Sequence, residues 1–267
     1  MDLLTIDAAW TGLSLVGMLS ILVGLFFGGL CKGVTGLGLP LIVVPIASLF
    51  VPVPKALSLL SVAVVVTNVV QLRSSGQAIA AVKRFGLLTS VLVLAIVFGT
   101  GLLVSLHPAV LIVLMGLVML VYPLTRMIGR QTPFTPLQER VLGPPIAAVS
   151  GVLGGMTGFF GPPLLLFFAI QRLEKQFYIG TVALIFLSGY LALSASLASH
   201  GALSQADLLV SALALIPILL GLRLGEGIRQ RISQKGFERV LLGLLTVMGA
   251  SLVWRGIHQC GGLACLA

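Results

Sequence analysis

The chain has 267 residues, of which 58% are hydrophobic and only 9% charged. A soluble domain carries about 25% charged residues, and a chain of this length cannot hide so much apolar surface from water. With a mean hydropathy of +1.17, lipid is the solvent for most of it. The net charge of +9 does not point to nucleic acid, because the basic residues stand at the ends of apolar runs, as membrane topology requires.

In chain order, the N-terminal MDLLTIDAAW has two aspartates and no basic region. It is a poor signal peptide, so the first apolar segment is expected to be retained. Apolar runs fall at 12–31, 39–51, 56–72, 85–106, 109–125, 141–155, 160–171, 177–199, 207–222 and 237–254. A helical crossing takes about 20 residues. Segments 85–106 and 177–199 meet that length, whereas 39–51, 141–155 and 160–171 are short and read as half-helices or parts of broken helices. Three cysteines are too few for a disulfide framework. Cys260 and Cys265 could pair if the tail faces an oxidising compartment.

Lys and Arg set the orientation. The joins holding Arg73, Lys83 and Arg84, then Arg126, Arg130 and Arg140, then Arg172 and Lys175, then Arg229, Arg231, Lys235 and Arg239 are basic. The joins at 105–108 and 200–206 have no Lys or Arg. Basic joins in the cytoplasm put those two outside, together with both termini, in keeping with Asp2 and Asp7. Lys55 is a violation and Arg255 a milder one. Ten segments satisfy this parity, and eight do so if each short pair re-enters from one side.

Two stretches repeat. CKGVTGLGLPL at 31–41 parallels LGGMTGFFGPPL at 153–164. At an offset of 122, Gly33 meets Gly155, Thr35 meets Thr157, Gly36 meets Gly158 and Pro40 meets Pro162. Downstream, 55–68 parallels 175–188, 74–79 parallels 199–204, and Gly99 meets Gly221 at the same offset of 122. Each half holds five segments, an odd number, so the halves must point in opposite directions across the membrane. The expected fold is an all-α polytopic membrane protein of two inverted-topology repeats, about five helical segments each, with broken or re-entrant helices near the midplane. The first repeat covers 1–130, a basic cytoplasmic linker 131–140 and the second repeat 141–267. Gly/Pro-interrupted segments in matching positions of inverted repeats are the sequence sign of a secondary transporter with its site at the breaks.

Non-helical backbone at membrane depth is tolerated only when it is buried in protein or lines a wet cavity. Glycine lets the chain turn and lets a ligand approach. Pro40 and Pro162 suit the first turn of a new helix, whose free N–H groups and partial positive charge attract anions. The candidate substrate-binding residues are Lys32, Gly33, Thr35, Gly36, Gly38, Pro40 and Asn68 in the first half. In the second they are Gly155, Thr157, Gly158, Gly161, Pro162 and Ser188. Other readings stay open. Gly24, Gly28, Gly29 and Gly33 have small-xxx-small spacing, which means close helix packing. Lys32 could snorkel to an interface, Asn68 could join helices, and Arg223 could be an interfacial anchor. His107, His200 and His258 fall in outer loops or the tail and read as solvated.

All seven acids, Asp2, Asp7, Glu139, Glu174, Asp207, Glu226 and Glu238, lie at segment ends or in loops. A carboxylate proton relay or a carboxylate-rich sodium site therefore has no candidate. There is no nucleotide-binding GxxxxGK[ST] motif and no hydrolase constellation. Neither an enzyme nor a cofactor nor a metal site is expected. A basic, acid-poor membrane protein suits export of a small anion, which the negative interior can drive without a coupling ion; coupling stays open, because backbone carbonyls can also bind cations.

At these residues the chain resembles the TauE/SafE family of sulfite exporters and related anion permeases. The resemblance rests on GLCKGVTGLGLPLIVVP at 29–45, GVLGGMTGFFGPPLLLF at 151–167 and GLRLGEGIRQRIS at 221–233, and it extends over nearly the whole chain. It implies a permease of the bacterial inner membrane for sulfite, an organosulfonate or a related sulfur-containing anion. The partners expected are that small anion and the lipid bilayer, with no nucleic acid; a homodimer is left open. Import of thiosulfate or another small anion, an anion channel, and a scaffold without transport are the other readings. FFGPP in the second half departs from LGLPL in the first, so the two breaks need not contribute equally.

Overall fold

The computed structural model describes Trp10 and residues 12–36, 38–127, 133–229 and 234–259. The expectations for Asp2, Asp7, Arg130, Arg231 and the Cys260–Cys265 pair lie outside the described residues. From Leu15 onward eleven helices follow one another, and there is no strand among the described residues. They are α1 (Leu15–Thr35), α2 (Leu39–Ala47), α3 (Val53–Ser58), α4 (Ser61–Ser75), α5 (Ala78–Ser105) and α6 (Pro108–Met127). Then come α7 (Pro136–Thr157), α8 (Gly161–Ile170), α9 (Lys175–Ser199), α10 (Gln205–Arg229) and α11 (Gln234–Gln259).

Each apolar run became helix, since a chain in lipid must pair its own amides and carbonyls. Six helical stretches are long and apolar enough to cross a membrane: Leu15–Thr35, Val53–Ser75, Ala78–Ser105, Lys175–Ser199, Gln205–Ile228 and Arg239–Gln259. Pro108–Pro123 and Gly161–Ile170 are shorter apolar helices. The segment expected at 141–155 is no half-helix, because α7 begins at Pro136. Thr135 caps it by accepting from the Gln138 amide, and the Gln138 side chain returns the bond to Thr135, a reciprocal capping box. The expected linker is thus helical from Pro136 on. In the other direction, the run 56–72 is two helices, broken by turns at Leu59 and Leu60.

The described residues fall into two compact units. One takes those within 1–63, 106–123 and 201–267, the other those within 64–105 and 124–200. Each unit therefore draws on both halves of the chain.

In the first unit α1 and α10 run parallel. Gly29 and Gly33 of α1 face the carbonyl oxygens of Ile218 and Leu222, while Gly221 and Gly225 of α10 face those of Phe26 and Leu30. A Cβ at any of the four would collide with the opposing backbone. After its break the chain doubles back along α1. Leu39 and Val43 lie against Gly28, Ile46 against Gly24 and Phe50 against Gly17. At this end the side chain of Asp207, wholly buried, binds Lys55 Nζ at 2.7 Å and Trp10 Nε1 at 2.7 Å. It also accepts from the amide and hydroxyl of Ser204, each at 2.8 Å. Lys55, the exception to the charge rule, is paired with a carboxylate.

The second unit repeats the plan with α7 and α5. Gly151 and Gly155 of α7 face the carbonyls of Leu92 and Ile96, and Gly99 of α5 faces that of Val152. Here too the chain doubles back, with Phe160 against Gly154 and Phe167 against Gly143. Its end is tied by a bidentate pair, Arg84 to Glu139 at 2.7 and 3.0 Å, with the guanidinium over the rings of Phe85 and Phe177.

The packing corrects one match made on the sequence. Leu30 and Val152, 122 positions apart, are the carbonyls opposite Gly225 and Gly99 respectively. Gly99 thus occupies the place of Gly225, at an offset of 126, and not that of Gly221. Ile218 and Leu222 correspond to Leu92 and Ile96 at the same 126. Four extra residues enter the second half between its break and α10, one helical turn, so the contacting face is kept.

Candidate functional site: two helix breaks

The two breaks share one backbone design. α1 ends at Thr35, and Gly36 takes a left-handed conformation (φ 80°) while its N–H bonds the Lys32 carbonyl at 2.7 Å. α7 ends at Thr157, and Gly158 (φ 77°) bonds the Gly154 carbonyl at 2.7 Å. A left-handed residue just past the last turn is a common helix stop, and glycine adopts it without Cβ strain. Helix then restarts at Leu39 and at Gly161, each with proline in the first turn.

Thr35 and Thr157 sit in the last turns, and both hydroxyl protons are turned inward. Thr35 Oγ1 donates to the Cys31 carbonyl at 2.9 Å and Thr157 Oγ1 to that of Leu153 at 2.6 Å. Thr157 Oγ1 also accepts the Phe159 N–H at 3.2 Å. Both threonines thus bond back onto the last turn of their own helix.

Lys32 lies in the last turn of α1, only 7% exposed, one turn before the break. A snorkelling lysine leaves its ammonium in water; this one is enclosed by protein. Gly38 is also left-handed (φ 100°), and a Cβ there would stand 2.8 Å from Cys31 Sγ. Pro40 and Pro162 are buried in the first turns of α2 and α8. Gly33 and Gly155 face the opposing helix, so close packing accounts for them, as it does for Gly24, Gly28 and Gly29. Gly161 packs against the ring of Phe186.

Asn68 lies along α4, buried, with Nδ2 donating to the Val64 carbonyl at 2.7 Å. Ser188 is half-buried on α9, next to Gly189, which meets the ring of Phe160. His107, His200, His258 and Arg223 are exposed.

Sequence reasoning missed what fills the second break. Phe160 stands where the first half has Gly38, and Gly154 where it has Lys32. The Phe160 ring contacts Phe186 (centroids 4.9 Å) and Tyr190 (5.7 Å). The signal was present: FFG at 159–161 aligns with LGL at 37–39 of the first half, and at Phe160 a bulky ring replaces the hydrogen of Gly38. Asp207 was also missed, because a carboxylate at a segment end reads as solvated until its partner, 152 residues away, is seen.

An all-helical chain with several apolar helices of membrane-crossing length, interrupted at matched positions by glycine-capped breaks, is a multi-pass membrane protein of the kind built for transport. A family model described as "Sulfite exporter TauE/SafE" matches residues 20–252, and the chain belongs to that family. No curated protein and no solved structure matches it.

Proposed function

We propose that this protein is a secondary transporter that exports a small sulfur-containing oxyanion, sulfite or an organosulfonate. The anion binds at the helix breaks near the midplane. The observation that carries this reading is the matched pair of breaks. Each stops one helix on a left-handed glycine and starts another with proline in its first turn. First-turn amides have no partner within their own helix, and oriented amides at a helix N-terminus are an anion site. At the first break Leu39 and Leu41 supply N–H groups, and the buried amine of Lys32 lies in the turn before it.

The two halves, 1–130 and 141–267, are inverted repeats in the inner membrane, with both termini outside. Export then runs with the potential: each negative charge gains about 2.3 kcal/mol per 100 mV, enough to dispense with a coupling ion. The test is sulfite and sulfonate flux in proteoliposomes under an imposed potential, wild type against Lys32→Gln. Saturable flux that follows the potential, with half-saturation raised about tenfold or more in Lys32→Gln, is expected. No flux of either anion in wild type overturns the transporter reading. Unchanged half-saturation in the variant removes Lys32 from the site.

A further inference from the structure

The second break has the backbone of the first but a different filling. The ring of Phe160, the residue from which α8 starts, enters between α7 and α9. It does so because Gly154 and Gly189 lack the Cβ atoms that would strike it. Phe186 and Tyr190 of α9 close around it. Several polar groups at this break are committed or missing. Thr157 gives its proton to Leu153 and accepts from Phe159. Pro162 and Pro163 have no N–H, and Gly154 has no charge.

One donor remains. The Tyr190 side chain is wholly buried, and its hydroxyl has no hydrogen-bond partner. One turn along α9, the buried hydroxyl of Ser194 is also without a partner, and residues four apart are neighbours on a helix face. Buried polar groups are as a rule paired, and an orphan calls for a specific reason, such as a ligand that is not present. Phenylalanine would fill the same space against Phe160 without that cost.

Resting on the transport reading above, we propose that Tyr190 is a substrate-contacting residue of the second break, its phenol donating a hydrogen bond to an oxygen of the transported anion. The second break then offers the anion an aromatic wall carrying one hydroxyl. A phenol selects for an acceptor oxygen at a defined place, and a site built around such a bond discriminates against ligands that cannot make it.

The test is Tyr190→Phe in full-length protein, which removes one oxygen and leaves the ring. Sulfite flux is measured in proteoliposomes, and thermal unfolding in detergent. A hydrogen bond to a charged ligand predicts half-saturation raised about tenfold or more, with thermal stability equal to or above wild type. Wild-type half-saturation in the variant overturns the proposal. So does lowered stability or failed assembly, which would assign the hydroxyl to folding. Absence of anion flux in wild type would bring down the transport reading as well. Normal wild-type flux that responds to Lys32→Gln but not to Tyr190→Phe would bring down this proposal alone.

Discussion

Gly36 and Gly158 do the same work 122 positions apart. Each carries the chain out of a helix through a left-handed turn, where a side chain costs about 1–2 kcal/mol. Gly36→Ala and Gly158→Ala should each lower stability by that amount in thermal unfolding of the detergent-solubilised protein. Gly101→Ala is the contrast. It sits within α5 with nothing within 4 Å of where its Cβ would be, and helical glycine costs about 0.5–1 kcal/mol relative to alanine. That variant should hold or raise stability. A destabilisation as large as that of Gly36→Ala would show that the cost does not come from the left-handed turn. At the same scale, the hydroxyls of Thr35 and Thr157 each bond a carbonyl one turn back, a partner offered by helix geometry and invisible in a composition of Gly, Thr and Pro.

Helices are held in pairs by backbone approach rather than by side-chain interdigitation. With lipid on the outside, association gains little from the hydrophobic effect and depends on close packing of small residues. The glycines of α1 and α10 and of α5 and α7 supply it. The ends need another tie, and in the first unit it is Asp207 with Lys55. The carboxylate is wholly buried and the lysine 15% exposed, so removing one partner leaves a charge uncompensated, at a cost of about 3–5 kcal/mol. Asp207→Asn should therefore lower thermal stability strongly. Adding Lys55→Met should recover most of the loss, because no buried charge is then left alone. A double variant no more stable than Asp207→Asn would show that the carboxylate holds this end through Trp10 and Ser204 instead. The Arg84–Glu139 pair has its arginine 43% exposed and counts for less, since exposed pairs contribute about 0–1 kcal/mol.

At the scale of the molecule, both doublings-back return the chain to the end where the preceding long helix began, and α10 runs parallel to α1 as α7 does to α5. With the basic joins in the cytoplasm, this path puts the turn at Gly201 outside and Glu174 inside. Both residues are exposed. In a background with Cys31, Cys260 and Cys265 changed to Ser, a membrane-impermeant maleimide should label Gly201→Cys in intact cells. It should reach Glu174→Cys only after permeabilisation. The reverse pattern would invert the topology and place both termini inside. In that orientation Lys55 would lie at the outer end, where Asp207 neutralises it.

The sequence by itself determined the solvent, the helices and the places where they stop. These are local matters: hydropathy over about 20 residues selects a crossing, and glycine followed by proline stops one helix and starts another. It also led to the family, because the break motifs are contiguous. Only the tertiary structure decided which helix each glycine faces, the register of 126 in place of 122, the burial of Lys32, and the pairing of Lys55 with Asp207. It alone revealed that one break follows a buried lysine and the other is filled by Phe160, Phe186 and Tyr190. Each of these depends on residues brought together from distant parts of the chain, or on which face of a helix turns inward. In a chain where nearly every face is apolar, no hydrophobic stripe marks the inward side, so packing had to choose it.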